Sequence, residues 1–328
     1  MSRIAILGSG AWGTALALSF SARHSIALWG RETDLQQQLR ETRQNPLLPG
    51  IHLPESVAVV DEQAQAFAGA ELALIVTPTA GLRSCLRAVA EQAPSLPVIW
   101  ACKGLEAGTG KLPHDIATEE LGAAHPVAVL TGPSFAQEVA AGLPGAVTLA
   151  GNSIEFAKHW AAQLHHSRLR IYAADDLIGA EVSGAVKNVL AIATGICDGM
   201  SFGLNARAAL ITRGLAEITR FGLALGGRRE TFSGLAGVGD LILTCTGDLS
   251  RNRRVGLALA EGRKLDEILT TLGHVAEGVP TAREVANRAR ELGVDMPITA
   301  AVDAVLSNQL SPRDAVERLL ARDPKIEG

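Results

Sequence analysis

A lysine within an apolar stretch is the residue of this chain whose surroundings most strongly indicate chemistry. Only six of the 30 lysine and arginine residues are lysines, so lysine is not the usual surface cation here. Lys187 lies in residues 182–191, a run of small and apolar side chains that predicts a largely buried helix. Because a buried ammonium group is unfavourable unless it is paired or used, we expect Lys187 to act as a general acid or base. The alternative is a lysine whose head group reaches solvent at a domain rim.

A glycine-rich turn near the N-terminus predicts a dinucleotide site. Gly8, Gly10 and Gly13 follow the apolar residues 4–7 and precede a helical pattern over residues 14–20. In this order of elements, Gly8 permits a tight turn, Gly10 lets a pyrophosphate approach the backbone, and Gly13 lets helix and strand pack closely. The free N–H groups at the start of the helix would bind the phosphates. A nicotinamide dinucleotide, and therefore hydride transfer, is the chemistry expected from this turn.

The side chains that follow the second predicted strand indicate whether NAD or NADP is the preferred dinucleotide. NAD enzymes usually carry an acidic residue about 20 positions after the glycine turn, whereas a nearby arginine accommodates the 2′-phosphate of NADP. Here the first side chain beyond residues 25–29 is Arg31, and Glu32 follows it. We therefore expect NADP(H) to be preferred and NAD(H) to be possible.

Two segments that follow predicted strands are candidate substrate contacts, because ligands of doubly wound sheets bind at the carboxyl ends of strands. Lys103 follows one strand, and residues 131–137 follow the next. The spacing of Ser134 and Gln137 predicts a capping box at a helix start, where N–H groups could also bind an anion. The alternatives are an exposed loop lysine and a cap with no further role.

A cluster of hydrogen-bond donors at residues 250–254 is suited to a phosphate group. It reads Ser-Arg-Asn-Arg-Arg and offers many donors with few acceptors. We assign binding to Arg251 and Asn252. Arg253 and Arg254 are interpreted as the solvated start of a basic helix.

An aspartate at a glycine-flanked turn precedes this cluster. Asp240 closes residues 237–240, which read Gly-Val-Gly-Asp. Its carboxylate could accept a hydrogen bond from a substrate hydroxyl or hold a lysine. We include Asp240 with Lys187 among the candidate catalytic residues.

The elements that must position these residues fall into two groups. Alternating strand and helix patterns with continuous apolar strands predict a doubly wound, mostly parallel sheet. The predicted strands are residues 3–7, 25–29, 57–60, 72–76, 97–102, 126–130, 146–149 and 169–172. After residue 175 the pattern is helical, with predicted helices over residues 177–199, 205–225, 265–272, 281–292, 299–307 and 312–321. We predict a dinucleotide-binding domain over residues 1–175 and an all-helical substrate domain over residues 176–328.

Composition argues against nucleic acid, membrane and metal as binding partners. The net charge of −4 and the absence of a long basic tract argue against nucleic acid as a partner. No uninterrupted apolar run reaches the roughly 18 residues of a membrane helix, so we expect no stable membrane insertion and a cytoplasmic protein. The four cysteines and eight histidines show no metal-ligand spacing, and we expect no metal.

Taken together, these segments resemble the soluble, bacterial-type NAD(P)-dependent glycerol-3-phosphate dehydrogenases over nearly the whole chain. The resemblance rests on several short motifs in one order, which is far more specific than the glycine turn alone. They are residues 8–13, 101–106, 131–136, 183–188, 203–207, 239–241, 244–245, 250–253 and 276–278. One departure is the loop at residues 45–50, which lacks the aromatic residue expected before its Leu-Pro.

The resemblance implies a Rossmann domain, a helical domain, a homodimer, and reduction of dihydroxyacetone phosphate to sn-glycerol 3-phosphate. It implies Lys187 as the general acid. The implied substrate contacts are Lys103, Gly132, Ser134, Lys187, Asp240, Ser250, Arg251 and Asn252. The implied cofactor contacts are Ala11, Trp12, Arg31, Lys103, Ala136, Arg251, Val275 and Glu277, besides the three glycines. Two alternatives remain: a β-hydroxyacid dehydrogenase acting on a small carboxylate, and a non-catalytic NAD(P)-sensing module.

Overall fold

The computed structural model describes residues 1–272 and 275–322, and the chain forms two compact units. The first unit comprises Met1–Lys103 and Lys111–Glu181, and the second comprises Gly104–Gly110 and the chain from Val182 onward. The predicted domain boundary between residues 175 and 176 stays a prediction.

An eight-stranded sheet is the centre of the first unit, and all eight predicted strands are confirmed. The sheet order is β3-β2-β1-β4-β5-β6-β7-β8, in which only β6 and β7 pair antiparallel. The strands are β1 Arg3–Leu7, β2 Ser25–Trp29, β3 Val57–Val60, β4 Leu72–Ile75, β5 Val98–Trp100, β6 Val127–Thr131, β7 Gly145–Gly151 and β8 Leu169–Ala174. The first six strands have the order of the Rossmann fold, which reverses between β1 and β4.

Helices connect these strands and contribute to the apolar core. They are α1 Ala11–Ser21, α2 Thr33–Thr42, α3 Gln63–Phe67, α4 Leu82–Gln92, α5 Pro113–Leu121, α6 Ala136–Ala140 and α7 Ile154–Leu164. Ile6, Leu28 and Leu74 are fully buried on three strands of the sheet. Such strands are apolar throughout because helices cover both faces of a doubly wound sheet.

The chain beyond the sheet is helical in the part that the structure describes, as the sequence predicts. Its helices are α8 Leu177–Gly199, α9 Gly203–Ala224, α10 Arg229–Phe232, α11 Asp240–Thr246, α12 Arg251–Ala260, α13 Leu265–Leu272, α14 Gly278–Glu291, α15 Pro297–Leu306 and α16 Pro312–Leu320. A five-residue π-helix, Leu235–Gly239, leads directly into α11.

Two glycines let α8 and α12 approach closely within the second unit. A Cβ atom on Gly195 of α8 would overlap the carbonyl oxygen of Arg253, and one on Gly256 of α12 would overlap the carbonyl oxygen of Ile192. Glycine is the residue that permits such an approach of one backbone to another. The crossing fixes the start of α12, which carries the predicted phosphate cluster, relative to α8, which carries Lys187.

Helix α8 is long and apolar enough to cross a membrane by length and composition alone. It has 23 residues, and its most apolar 18-residue window has a mean hydropathy of 1.3. However, 94% of that window is buried inside the protein. Core helices of globular proteins share these properties.

Candidate active site

The glycine turn, residues 8–13, has the steric properties that the sequence predicts. Gly8 has a φ of +123°, and a Cβ on it would lie 2.7 Å from the Val76 carbonyl, just beyond β4. A Cβ on Gly13 would overlap the carbonyl oxygen of Gly8. A Cβ on Gly10, in contrast, would meet nothing within 4 Å. The turn therefore leaves an open face at Gly10, at the point where the strand order reverses and dinucleotides bind.

Three further predicted cofactor contacts lie around this turn. Ala11 and Trp12 form the start of α1 and are half-buried. The Gly8 N–H donates to the Trp29 carbonyl at 2.7 Å, which holds the end of β2 beside the turn. Arg31 follows β2 and is exposed, as is Glu32. Arg31 is thus the first side chain beyond β2, as the sequence predicts, and its contact with the cofactor stays a prediction.

Lys103 and Ser134 converge on one carbonyl group in the first unit. Lys103 Nζ donates to the Gly132 carbonyl oxygen at 3.4 Å, and Ser134 Oγ donates to the same oxygen at 3.0 Å. Gly132 has a φ of +130°, and a Cβ on it would lie 3.0 Å from Val147 Cα. The structure thus brings together all three predicted substrate contacts of the first unit.

The predicted capping box at Ser134 and Gln137 is wrong. Helix α6 begins at Ala136, its N-cap residue is Phe135, and no side chain caps it. The Ser134 hydroxyl bonds to the Gly132 carbonyl two residues earlier, so it does not cap the helix. Ala136, a predicted cofactor contact, is half-buried at the first position of α6.

Lys187 lies at the centre of a buried polar cluster in the second unit. Only 5% of the residue is exposed, so the alternative of a lysine reaching solvent is wrong. Its Nζ donates to Asp240 Oδ1 and, at 2.8 Å, to Thr244 Oγ1. Asp240 is 1% exposed and forms an ion pair with Lys187. The carboxylate stabilises the ammonium form, which is the form that a general acid requires.

Thr244 is a further residue of this cluster, which the sequence does not single out as a contact of Lys187. Its hydroxyl accepts from Lys187 and donates to the Asp240 carbonyl oxygen at 2.7 Å, one turn back on α11. Residues four apart on a helix share a face, so the Asp-x-x-x-Thr spacing is the signal that could have identified it. The interpretation that Asp240 could hold a lysine is confirmed.

The predicted phosphate cluster forms the start of α12. Ser250 is the N-cap residue, and its hydroxyl accepts from the Arg253 N–H at 3.3 Å. Asn252 is buried, and its Oδ1 accepts from the Gly278 N–H at 3.0 Å. A Cβ on Gly278 would lie 2.6 Å from the carbonyl oxygen of Asn188, the residue after Lys187. Asn252 therefore lies next to the part of α8 that carries Lys187.

Arg251 and Glu277 are close enough to interact electrostatically. Arg251 is exposed overall, but the protein around its guanidinium group desolvates that group and so lowers its pKa. The negative charge of the Glu277 carboxylate opposes this lowering. Val275, two residues before Glu277, is 49% exposed. These three predicted cofactor contacts belong to the second unit.

The interpretation of Arg253 as a solvated residue is wrong. Arg253 is buried, and its Nε and Nη2 donate to Asp198 Oδ2 at 2.9 and 2.8 Å. Asp198 is on α8 and also accepts from Arg207 Nη1 at 3.0 Å. The glycine crossing brings α8 close enough to supply this acceptor, which sequence spacing does not reveal. Arg254 is exposed, as expected.

No metal or thiol chemistry is indicated around these residues. Within residues 1–272 and 275–322, no three His, Cys, Asp or Glu side chains are grouped as metal ligands. Burial raises the pKa of the Cys245 thiol, which interacts with Lys187 and Asp240, to about 12. This thiol is therefore protonated at neutral pH.

Comparison with known proteins identifies the family. The model of the NAD-dependent glycerol-3-phosphate dehydrogenase N-terminus matches residues 3–157, and that of the C-terminus matches residues 176–317. The chain belongs to the NAD-dependent glycerol-3-phosphate dehydrogenase family. A curated relative from Dechloromonas aromatica (strain RCB), named glycerol-3-phosphate dehydrogenase (NAD(P)+), is 62% identical over 326 residues, covering 99% of each chain.

Solved structures agree with this family assignment. The crystal structure of glycerol-3-phosphate dehydrogenase from Coxiella burnetii has a TM-score of 0.94 and 42% identity, covering 98% of this chain and 99% of that one. D-mandelate dehydrogenase in complex with NADH, at 14% identity and a TM-score of 0.64, covers 94% of this chain and 98% of that one. That more distant similarity concerns the fold alone.

Proposed function

We propose that this chain reduces dihydroxyacetone phosphate to sn-glycerol 3-phosphate with NAD(P)H, reversibly, and so supplies the backbone of glycerophospholipids. The observation that carries the proposal is the buried contact of Lys187 with Asp240 and Thr244. A non-catalytic NAD(P)-sensing module would have no need of a buried, charge-paired lysine. The curated relatives, whose name includes NAD(P)+, support the same reaction. We further propose that residues 1–175 bind the dinucleotide and that residues 176–328 supply the catalytic groups.

The residues of the first unit fit a nicotinamide dinucleotide, because the glycine turn leaves Gly10 open where a side chain would otherwise project. When bound, the cofactor supplies the hydride that adds to the substrate carbonyl carbon. The N–H groups of the turn and of the first turn of α1 bind its phosphates, and Arg31 binds the adenosine end. The further proposed cofactor contacts are Ala11, Trp12, Lys103, Ala136, Arg251, Val275 and Glu277.

Lys187 is the proton donor for reduction and the proton acceptor for the reverse reaction. Its Nζ donates a proton to the carbonyl oxygen as that oxygen gains negative charge, and in the reverse reaction Nζ accepts the proton from the alcohol. Before transfer is complete, the positive charge stabilises the developing alkoxide. Asp240 keeps the lysine charged, and the Thr244 hydroxyl fixes the direction of Nζ.

Donors at the start of α12 bind the substrate phosphate. Arg251 provides a full positive charge, and Asn252 is held in place by its bond with the Gly278 N–H. Ser250 caps the same helix, whose N-terminus favours an anion. Lys103, Gly132 and Ser134 are proposed as further substrate contacts.

Arg251→Ala is expected to raise KM for dihydroxyacetone phosphate by about 30-fold or more, because a charge-assisted hydrogen bond to phosphate is lost. The change in kcat should be smaller than the change in KM. Steady-state kinetics with varied triose phosphate measures both constants. Arg254→Ala is the matched control, because Arg254 is exposed on the same helix turn. An unchanged KM in Arg251→Ala would remove this residue from the phosphate site.

The proposed preference for NADPH is tested by comparing kcat/KM for NADPH and NADH at saturating triose phosphate. We expect the NADPH value to be higher, and we expect Arg31→Ala to lower it by about tenfold, because the partner of the 2′-phosphate is lost. The NADH value should change little, since NADH has no 2′-phosphate. A clear NADH preference in the unaltered protein contradicts the role of Arg31.

We also propose that the protein is a cytoplasmic homodimer. Large apolar side chains in the second unit support the dimer: Leu204 is 70% exposed, and Phe202, Ile242 and Leu249 are each more than 40% exposed. Exposed apolar surface of this kind is typical of subunit contacts. Light scattering should give twice the chain mass, whereas a monomer across the assay concentrations contradicts the dimer. The four cysteines are buried and none of them is in a disulfide, which fits a reducing compartment. Cell fractionation tests this location.

A further inference from the structure

A buried asparagine is hydrogen-bonded to the backbone of the glycine turn. Asn45, in the loop after α2, is 1% exposed. Its Nδ2 donates to the Ser9 carbonyl oxygen at 2.9 Å and to Thr14 Oγ1 at 2.6 Å. Thr14 Oγ1 in turn donates to the same Ser9 oxygen at 3.1 Å. Three polar groups from the turn, from α1 and from a distant loop thus form a closed set of hydrogen bonds.

These bonds fix the orientation of one peptide group in the turn. The peptide between Ser9 and Gly10 is planar and trans, so its C=O and its N–H point in opposite directions. Because two donors hold the Ser9 carbonyl oxygen toward Asn45, the Gly10 N–H is directed away from Asn45. An unheld peptide could rotate and present its carbonyl oxygen, which would repel an approaching anion.

The loop that carries Asn45 is itself anchored. Asn45 Oδ1 accepts from the Leu47 N–H at 2.9 Å, which forms a local turn. Leu48 is 1% exposed and packs in one apolar cluster with Ala15 of α1 and Val139 of α6. The amide of Asn45 is therefore supported by a packed loop, even though this loop lacks the aromatic residue expected from the family resemblance.

We propose that Asn45, together with Thr14, is a positioning residue for binding the cofactor pyrophosphate: it orients the Ser9–Gly10 peptide so that the Gly10 N–H faces the phosphate. This inference rests on the proposed use of NAD(P)H by this chain. The loop that carries Asn45 thereby contributes to cofactor affinity, although Asn45 does not contact the cofactor itself.

Four variants separate the orientation of the peptide from the packing of the loop. Asn45→Ala removes both donated hydrogen bonds. Asn45→Asp keeps the size of the side chain and the acceptor for the Leu47 N–H, but it replaces the donor with an oxygen that repels the Ser9 carbonyl. Thr14→Val removes the second donor to Ser9 and the acceptor of one Asn45 N–H, but it leaves the residues of the loop unchanged. Thr14→Ser retains the hydroxyl and should behave as wild type.

The test is a fluorescence titration with NADPH, made on variants whose thermal unfolding shows that they are folded. We expect the Kd for NADPH to rise about tenfold or more in Asn45→Ala, Asn45→Asp and Thr14→Val, because an oriented donor to the pyrophosphate is lost. At saturating NADPH, KM for dihydroxyacetone phosphate should stay within about twofold of wild type. Gln44→Ala is the matched control, since Gln44 is the exposed neighbour whose side chain bonds to His52.

The outcomes are distinct. A purely structural role for Asn45 lowers the unfolding temperature and leaves the Kd of the folded protein within about twofold of wild type, and that result overturns the inference. If Asn45→Ala does not fold, Thr14→Val gives the decisive titration, with the same two readings. Failure of the unaltered protein to bind NADPH instead contradicts the proposed function on which the inference rests.

Discussion

Lys187→Met is expected to lower kcat for dihydroxyacetone phosphate reduction by about a thousandfold, within the range of general acid catalysis. Methionine retains most of the volume of the lysine side chain but provides neither a proton nor a positive charge. The oxygen that receives the hydride then has no acid beside it and no cation to stabilise its charge. Initial rates of NADPH oxidation at saturating substrates measure the loss.

Folding must be separated from catalysis in this experiment, because the substitution leaves Asp240 buried without its cation. The double variant Lys187→Met/Asp240→Asn removes both charges and should unfold at a temperature closer to that of the wild type. It should remain as inactive as the single variant. Lys158→Met, on the exposed face of α7, is the control and should retain full activity. A Lys187→Met enzyme whose kcat stays within about fivefold of the control contradicts the general-acid assignment.

Asp240→Asn is expected to have the second-largest effect, because it leaves a buried ammonium group without its counter-ion. Breaking a buried ion pair in this way destabilises a protein by about 3 kcal/mol or more. The lysine then loses its proton at a lower pH, since the neutral form is favoured in an apolar surrounding. The rate of ketone reduction, which needs the protonated lysine, should therefore decline at a lower pH than in the wild type.

Two measurements test this expectation. Urea denaturation gives the free energy of unfolding, and a pH–rate profile for kcat gives the alkaline limb. Asp266→Asn, an exposed change at the start of α13, should alter neither. An unshifted alkaline limb in Asp240→Asn would show that this carboxylate does not control the charge of Lys187.

Much of the fold was predictable because local pattern and burial agree along the chain. The apolar strands are continuous since both faces of the sheet are covered, and this makes short runs such as β1 and β4 recognisable without neighbours. The helical half was predictable from the periodicity of its small and apolar residues. The start of α6 was not predictable from the sequence, because the Ser134 hydroxyl could bond either to an N–H group of the helix or to a nearby carbonyl group. In the structure it bonds to the Gly132 carbonyl.

The candidate site was predictable in its residue types and less so in its contacts. Lys187 was identified by its apolar surroundings, but its pairing with Asp240 spans 53 positions and depends on how α8 and α11 pack. The burial of Arg253 against Asp198 spans 55 positions and likewise depends on the packing of helices. Asn45 shows the same limit, since no spacing within its loop indicates that its amide reaches Ser9.

The most direct test of the central claim is the rate of NADPH oxidation by the purified, unaltered protein with dihydroxyacetone phosphate, compared with small keto acids. We predict oxidation that depends on dihydroxyacetone phosphate, with kcat/KM at least about a hundredfold above that for any keto acid, because a site built to bind phosphate rejects substrates without it. Equal or faster oxidation with a keto acid, or no oxidation with the triose phosphate, would contradict the account.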